Sequence, residues 1–191
     1  MAWSPDWKRA ETWELGLLLG GTAAAYFGAN AFIPDFLRAI ERPQLIGACL
    51  TFLNASQLPA SLVAGLVGAG GVRPRTTFLA VGATILGSLG IFLLRQDWAL
   101  LLGAGMLGFC CGVALVLCLS LPPVLSDRGG VHRLSAGMFA IGYSYSFVVP
   151  LLGGAAWDFT HVPATAFLSV GVGAVTMLVI AASLRAPRAV A

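Results

Sequence analysis

Three pairs of uncharged polar residues are the groups best placed to do chemistry in this sequence: Tyr26 with Asn30, Asn54 with Gln57, and Tyr143 with Ser146. The members of each pair stand three or four positions apart, so on a helix they share one face. A proline follows each pair, at Pro34, Pro59 and Pro150. Within a helix a proline removes one backbone hydrogen bond and frees a carbonyl. Phenols, amides, a hydroxyl and free carbonyls can stand in for the water around a polar solute. The chemistry they suggest is binding. The same amides can also clasp one helix to another, a role worth about 1 kcal/mol or less per bond in a bilayer.

The elements that carry these pairs are membrane helices. The chain is 58% hydrophobic and only 10% charged, too little polar surface to cover a water-soluble globule of its size. A bilayer core of roughly 30 Å needs about 20 apolar residues per helix. Six such stretches lie near 13–35, 44–69, 74–95, 98–121, 133–156 and 162–184. The loops between them leave no room for a soluble catalytic domain. Lys8 and Arg9 precede an apolar run as in a signal peptide, but Glu11 and Glu14 spoil the charged start and the run continues past any cleavage site.

No span has a charged residue near its centre. Glu14 and Asp35 are expected at the ends of the first span, Arg95 at the close of the third, and Asp158 just past the fifth. Cys49, Cys110, Cys111 and Cys118 have no metal-ligand spacing and read as packing thiols. His132 and His161 fall in loops on opposite sides. With no nucleophile, acid/base pair, phosphate loop or nucleic-acid signature, the expectation is a protein that is not an enzyme. No catalytic residue, metal or cofactor is expected, and no nucleic-acid partner.

One string echoes another: "PRTTFLAVG" at 74–82 returns as "PATAFLSVG" at 163–171, 89 positions later, with six of nine residues identical. The first opens the third span and its echo opens the sixth. A unit of three spans is odd, so the second unit enters the membrane upside down relative to the first. Pro59 and Pro150 stand at a similar offset of 91, and "LLLG" at 17–20 recurs at 100–103 with an offset of 83. The expected fold is all-α and integral to the membrane. It is one domain over 1–191, six transmembrane helices in a 3+3 inverted repeat, with repeat A near 13–95 and repeat B near 98–184.

Loop cations set the orientation. Lys8, Arg9, Arg73, Arg75, Arg128, Arg133, Arg185 and Arg188 fall on one side, eight in number, against Arg38, Arg42 and Arg95 on the other. The positive-inside rule then puts both termini in the cytoplasm. The basic clusters at Arg73, Arg75, Arg128 and Arg133 would attract anionic lipid headgroups.

The stretches "YFGANAFIPDFL" at 26–37, "LNASQLPASL" at 53–62 and "LSAGMFAIGYSYSFVVPLLGGAAWDFT" at 134–160 resemble the C-terminal six-helix half of a major facilitator superfamily transporter. More narrowly, they are similar to its cyanate and nitroimidazole branch, and the resemblance runs from about Trp13 to Leu184. It departs from the family at two places. Ala69 stands where the loop motif carries an acid, and Phe139 where the branch often carries an amide.

The resemblance implies a half-transporter that moves a small polar or anionic solute by alternating access. A second six-helix unit would complete it, either another copy in a homodimer or a separate N-terminal half. It also implies that Tyr26, Asn30, Asn54, Gln57, Tyr143 and Ser146 line the substrate cavity, that Tyr145 points to an interface or lipid, and that the third and sixth spans lie outermost. The implied setting is the cell (inner) membrane, among its lipids. The rival expectation is a non-transporting membrane scaffold, or an isolated fragment of a longer carrier.

Overall fold

The structure, a computed structural model, describes residues 4–69, 74–126 and 130–184. Eight α-helices follow one another among them: α1 (Ala10–Ala39), α2 (Ile46–Ala55), α3 (Gln57–Ala69), α4 (Pro74–Phe92), α5 (Asp97–Ser120), α6 (Pro122–Leu125), α7 (Val131–Thr160) and α8 (Leu168–Ser183). Short 3₁₀ turns at Pro43–Leu45 and Pro163–Phe167 lead into α2 and α8. With those turns joined to the helices they precede, six segments are long and apolar enough to cross a membrane. These are the six spans expected from composition.

Several boundaries differ from the expected ones. α1 and α7 have 30 residues each, about 45 Å of helix at 1.5 Å per residue, more than a bilayer core requires. Glu14 and Asp35 therefore lie inside α1, each within about a turn of its end. Asp158 lies inside α7 rather than past it. Helix geometry is satisfied within the segment, so α1 and α7 continue out of the apolar zone without cost. The two echoing strings also differ. Pro74–Phe78 begins α4 directly, whereas Pro163–Phe167 winds as a 3₁₀ turn with Phe167 drawn onto Phe36 at 5.1 Å and Phe92 at 5.3 Å between ring centres.

The three internal prolines act unequally. Pro34 and Pro150 sit inside unbroken helices, but the second span divides at Ser56, between α2 and α3. Pro59 has no N–H for the Ala55 carbonyl, and its ring crowds that carbonyl. α1 and α7 pack along each other; the α2–α3 span leans almost wholly on α5.

α1 and α5 are the most enclosed spans, and they touch. α7 and α8 pack on α1, while α2, α3 and α4 pack on α5, and α4 meets α8. Glycines admit the closest approaches. Cβ atoms at Gly16 and Gly20 would meet Ile141 and Tyr145 of α7 at 2.6 and 2.8 Å. At Gly108 a Cβ would lie 1.9 Å from the Leu53 carbonyl oxygen, and at Gly112 it would lie 2.9 Å from Ala60. Both i, i+4 glycine pairs of the sequence are thus helix contacts, as small residues permit where lipid supplies no hydrophobic drive.

Loop contacts sort the two ends of the bundle. The Arg9 guanidinium donates to the Leu125 carbonyl at 3.3 Å, and Arg133 donates to the Ser4 carbonyl at 2.9 Å. At the other end Arg42 pairs with Asp97 at 2.7 Å, and Arg95 lies 5.9 Å from the Phe36 ring centre. Arg75 is described; Arg73, Arg128, Arg185 and Arg188 lie outside the described residues.

Candidate functional site

The site begins with Asn54, in the last turn of α2 before the break. Its Nδ2 donates to the Leu50 carbonyl one turn back at 2.8 Å and to Asn30 Oδ1 at 3.2 Å. Its Oδ1 accepts from the Tyr26 hydroxyl. Asn30 Nδ2 in turn donates to the Tyr26 carbonyl at 3.0 Å. Spans one and two are therefore joined by a chain of three polar side chains, with Asn54 as the hub. The two Asn residues that the sequence placed on separate helices meet directly.

Gln57, the first residue of α3, lies on the other side of the break. Its Cα and Cβ rest 3.2 and 3.3 Å from where a Gly112 side chain would begin, and its amide makes no side-chain hydrogen bond among the described residues. A side chain at position 112 would meet the Ala60 Cβ first, at 2.9 Å, and crowd Gln57. Beside it, the Leu53 carbonyl accepts from the Ser56 hydroxyl at 3.1 Å and presses onto Gly108. The break and the glycines of α5 are one feature.

A cavity of about 100 Å³ opens here, lined by Leu19, Thr22, Tyr26, Gln57, Cys111 and Tyr143 among others. Spans one, two, four and five each contribute a side chain. Thr22 Oγ1 turns back to the Leu18 carbonyl at 2.8 Å. The Tyr143 ring stacks on Phe139 at 5.8 Å between centres, and its hydroxyl has no hydrogen-bond partner among the described residues. Ser146, one turn on, is buried and bonds back to the Tyr143 carbonyl at 3.1 Å. It borders an adjoining, larger groove of about 730 Å³ between α1 and α7, which shares Phe27 and Tyr143 with the cavity and also has Phe32, Phe147 and, near one end of α7, Asp158.

Four of the six sequence candidates thus surround one place: Tyr26, Gln57 and Tyr143 line the cavity, and Asn54 bonds to Tyr26. Asn30 extends the same chain, while Ser146 faces the neighbouring groove. Tyr145 is at an interface, its hydroxyl 2.6 Å from Thr176 Oγ1. Cys111, read in the sequence as a packing thiol, borders the cavity. Its three fellow cysteines are buried elsewhere, and nothing in the spacing of the four distinguishes them. Among the described residues no group of three metal-ligating side chains comes together. No family profile, curated protein or solved structure matches this chain.

The arrangement offers neutral donors, acceptors and aromatic faces within an apolar shell. It can take a small polar guest by exchanging hydrogen bonds. No residue lining the cavity carries a charge.

Proposed function

We propose that this chain is one half of an alternating-access transporter for a small polar or anionic solute. Its build is that of a six-helix major facilitator half, seated in the cell (inner) membrane with both termini cytoplasmic and needing a second six-helix unit. The observation that carries the reading is the meeting of four spans at one small polar cavity beside the turn at Ser56. Irregular backbone at membrane depth is tolerated where it borders a cavity, and interrupted helices point to transporter sites.

Packing supports the inverted repeat. Exchanging span one with four, two with five and three with six turns the α1–α7 contact into that of α5 with α2 and α3, and the α1–α8 contact into that of α5 with α4. The α1–α5 and α4–α8 contacts map onto themselves. One exchange is reciprocal to the residue. A Cβ on Gly82 would meet Leu178 at 3.0 Å, and one on Gly171 would meet Leu89 at 4.0 Å. The two leucines stand 89 positions apart, like the two glycines.

The "LLLG" echo needs shifting by one residue. Gly103 lies against Phe92 and Ser88 of α4, whereas Gly20 lies against Tyr145 of α7; its neighbour Gly21 meets α8, through the Gly173 carbonyl oxygen and Met177.

The second reading is a scaffold, or a fragment of a longer carrier, that transports nothing. The uncharged cavity lining favours it, because coupled transport commonly uses an ionisable group at depth. Proteoliposome uptake of a panel of small anions and neutral heterocycles separates the two. Uptake by the native chain that Asn30→Leu abolishes, in a protein that still folds, supports transport. No uptake, together with cysteines at Tyr26, Asn30, Asn54 and Gln57 no more reactive to a water-soluble thiol reagent than cysteines at Leu79 and Leu168, overturns it. A reporter fused near Arg95 should read outside the cytoplasm; a cytoplasmic signal there would remove both the orientation and the repeat.

A further inference from the structure

We infer that the groove between α1 and α7 is a binding site for one phospholipid whose headgroup ends in a primary ammonium, as in phosphatidylethanolamine. The inference goes beyond transport and needs only that the chain crosses a bilayer. Grooves of about 730, 610 and 590 Å³ open on the surface of the bundle. The second, among the α2–α3 span, α4 and α5, and the third, beside Trp7 and Trp13, are lined by uncharged residues throughout. Any acyl chain can fill those. The first differs, because a carboxylate, that of Asp158, stands in its lining.

The groove has the length of one lipid. Along α7 it is lined by Tyr143, Phe147, Leu151, Ala155 and Asp158, three or four positions apart on one helix face. Tyr143 to Asp158 is about 22 Å of helix axis at 1.5 Å per residue, and one leaflet with its headgroups is about 20–22 Å thick. Tyr143 lies near the middle of α7, whereas Asp158 lies in its last turn. The groove therefore runs from the bilayer centre to the headgroups.

α1 forms the other wall and runs in the same direction as α7, since Gly16 and Gly20 meet Ile141 and Tyr145 while Phe32 meets Gly154. Phe27 and Ala31 line the groove, and the same stripe of α1 continues through Asp35 to Arg38. The headgroup end is thus flanked by Asp158 on one wall and the Asp35–Arg38 pair on the other.

Those charges select the headgroup. The Asp158 carboxylate has no ion-pair or hydrogen-bond partner among the described residues. Arg38 pairs with Asp35 at 2.6 Å, but both are largely exposed, so the pair is worth about 1 kcal/mol or less, and the guanidinium keeps further N–H donors. The two walls carry two carboxylates against one guanidinium, an excess that repels an anionic lipid. A zwitterionic headgroup fits, its ammonium towards Asp158 and its phosphate towards Arg38. A primary ammonium donates three hydrogen bonds, as that of lysine does, and a quaternary one donates none. The unpaired carboxylate therefore favours ethanolamine over choline.

The test offers the full-length chain, in mild detergent, an equimolar mixture of phosphatidylethanolamine, phosphatidylcholine and phosphatidylglycerol with matched acyl chains. Native mass spectrometry then weighs the protein with its bound lipid. Phosphatidylethanolamine should be retained over phosphatidylcholine by about threefold to fivefold, the yield of an ion pair partly open to water. Asp158→Asn should remove that preference, while Asp97→Asn, at the same end of the bundle in the pair with Arg42, should leave it intact. A phosphatidylethanolamine with a photoreactive group at the end of one acyl chain should label α7 near Tyr143. Equal retention of the three lipids, a preference for phosphatidylglycerol, or a preference that survives Asp158→Asn each overturns the site. So does labelling no denser on α7 than on α8, or a Leu151→Cys that cross-links to another protein chain. None of these readouts depends on uptake, so the site and the transport reading stand or fall separately.

Discussion

Two of the glycine-notched contacts on the inner spans, that of α1 with α7 and that of α5 with the second span, differ in what fills the notch. At Gly16 and Gly20 of α1 the occupants are the side chains of Ile141 and Tyr145, carried by the unbroken α7. At Gly108 of α5 the occupant is backbone, the Leu53 carbonyl beside the break at Ser56. A side chain in a notch clamps two helices. A carbonyl in a notch brings two backbones into contact, and with them the polar groups on either side. The first contact builds the bundle and the second places Asn54 and Gln57.

The largest predicted effect comes from filling the second notch. Gly108→Ala would put a Cβ 1.9 Å from a backbone oxygen that has nowhere to go. Overpacking costs about 1–3 kcal/mol and occasionally more, and this substitution should reach about 3 kcal/mol, read as a lowered unfolding temperature in detergent. Gly87→Ala, which meets open space, is the control; equal behaviour would break the comparison.

Gly20→Ala should cost less, about 1–2 kcal/mol, because the added Cβ first meets the Tyr145 Cβ at 2.8 Å, which a smaller shift of α7 relieves than the 1.9 Å approach to backbone at Gly108 demands. An effect as large as that at Gly108 would mean that both notches are equally rigid.

Asn54→Leu sharpens the contrast between clasp and site. It removes the hub of the Tyr26–Asn54–Asn30 chain. Hydrogen bonds between membrane helices contribute about 0.6 kcal/mol on average, so stability should fall by about 1 kcal/mol or less while uptake is lost. A much larger loss of stability with uptake retained would assign the chain to structure alone.

The smallest effect lies outside both contacts. Glu41, which follows α1, has φ 61°, in the left-handed region. An L-residue there costs about 1–2 kcal/mol and glycine does not, though glycine gives up more freedom on folding. Glu41→Gly should raise stability by about 0.5–1 kcal/mol without touching uptake. A decrease would show that the Glu41 side chain holds the turn.

The membrane character of the chain was legible because a bilayer demands about 20 apolar residues per crossing, and that demand is written directly in composition. The polar pairs were legible for the same reason, since an amide in an apolar run stands out. Their grouping was only partly so. Tyr26, Asn54 and Gln57 converge, but Ser146, three residues from Tyr143 on the same helix, borders only the adjoining groove, while Tyr143 lines both. Spacing fixes a face of one helix, while the neighbour packed on that face determines what the face is for.

The sequence by itself determined six apolar spans, their alternating ends and the 89-residue echo, because these follow from length, charge and residue identity along one chain. Only the tertiary structure decided which of three similar prolines breaks its helix, and which of four cysteines meets the cavity. Pro34 and Pro150 lie in helices that brace each other, while Pro59 lies in a span held on one side by α5, where Gly108 leaves room for the Leu53 carbonyl. Cys111 reaches the cavity because the packing of α5 on α1 and the α2–α3 span turns that position inward. Both outcomes depend on residues far away in the sequence, and no local pattern around Pro59 or Cys111 records them.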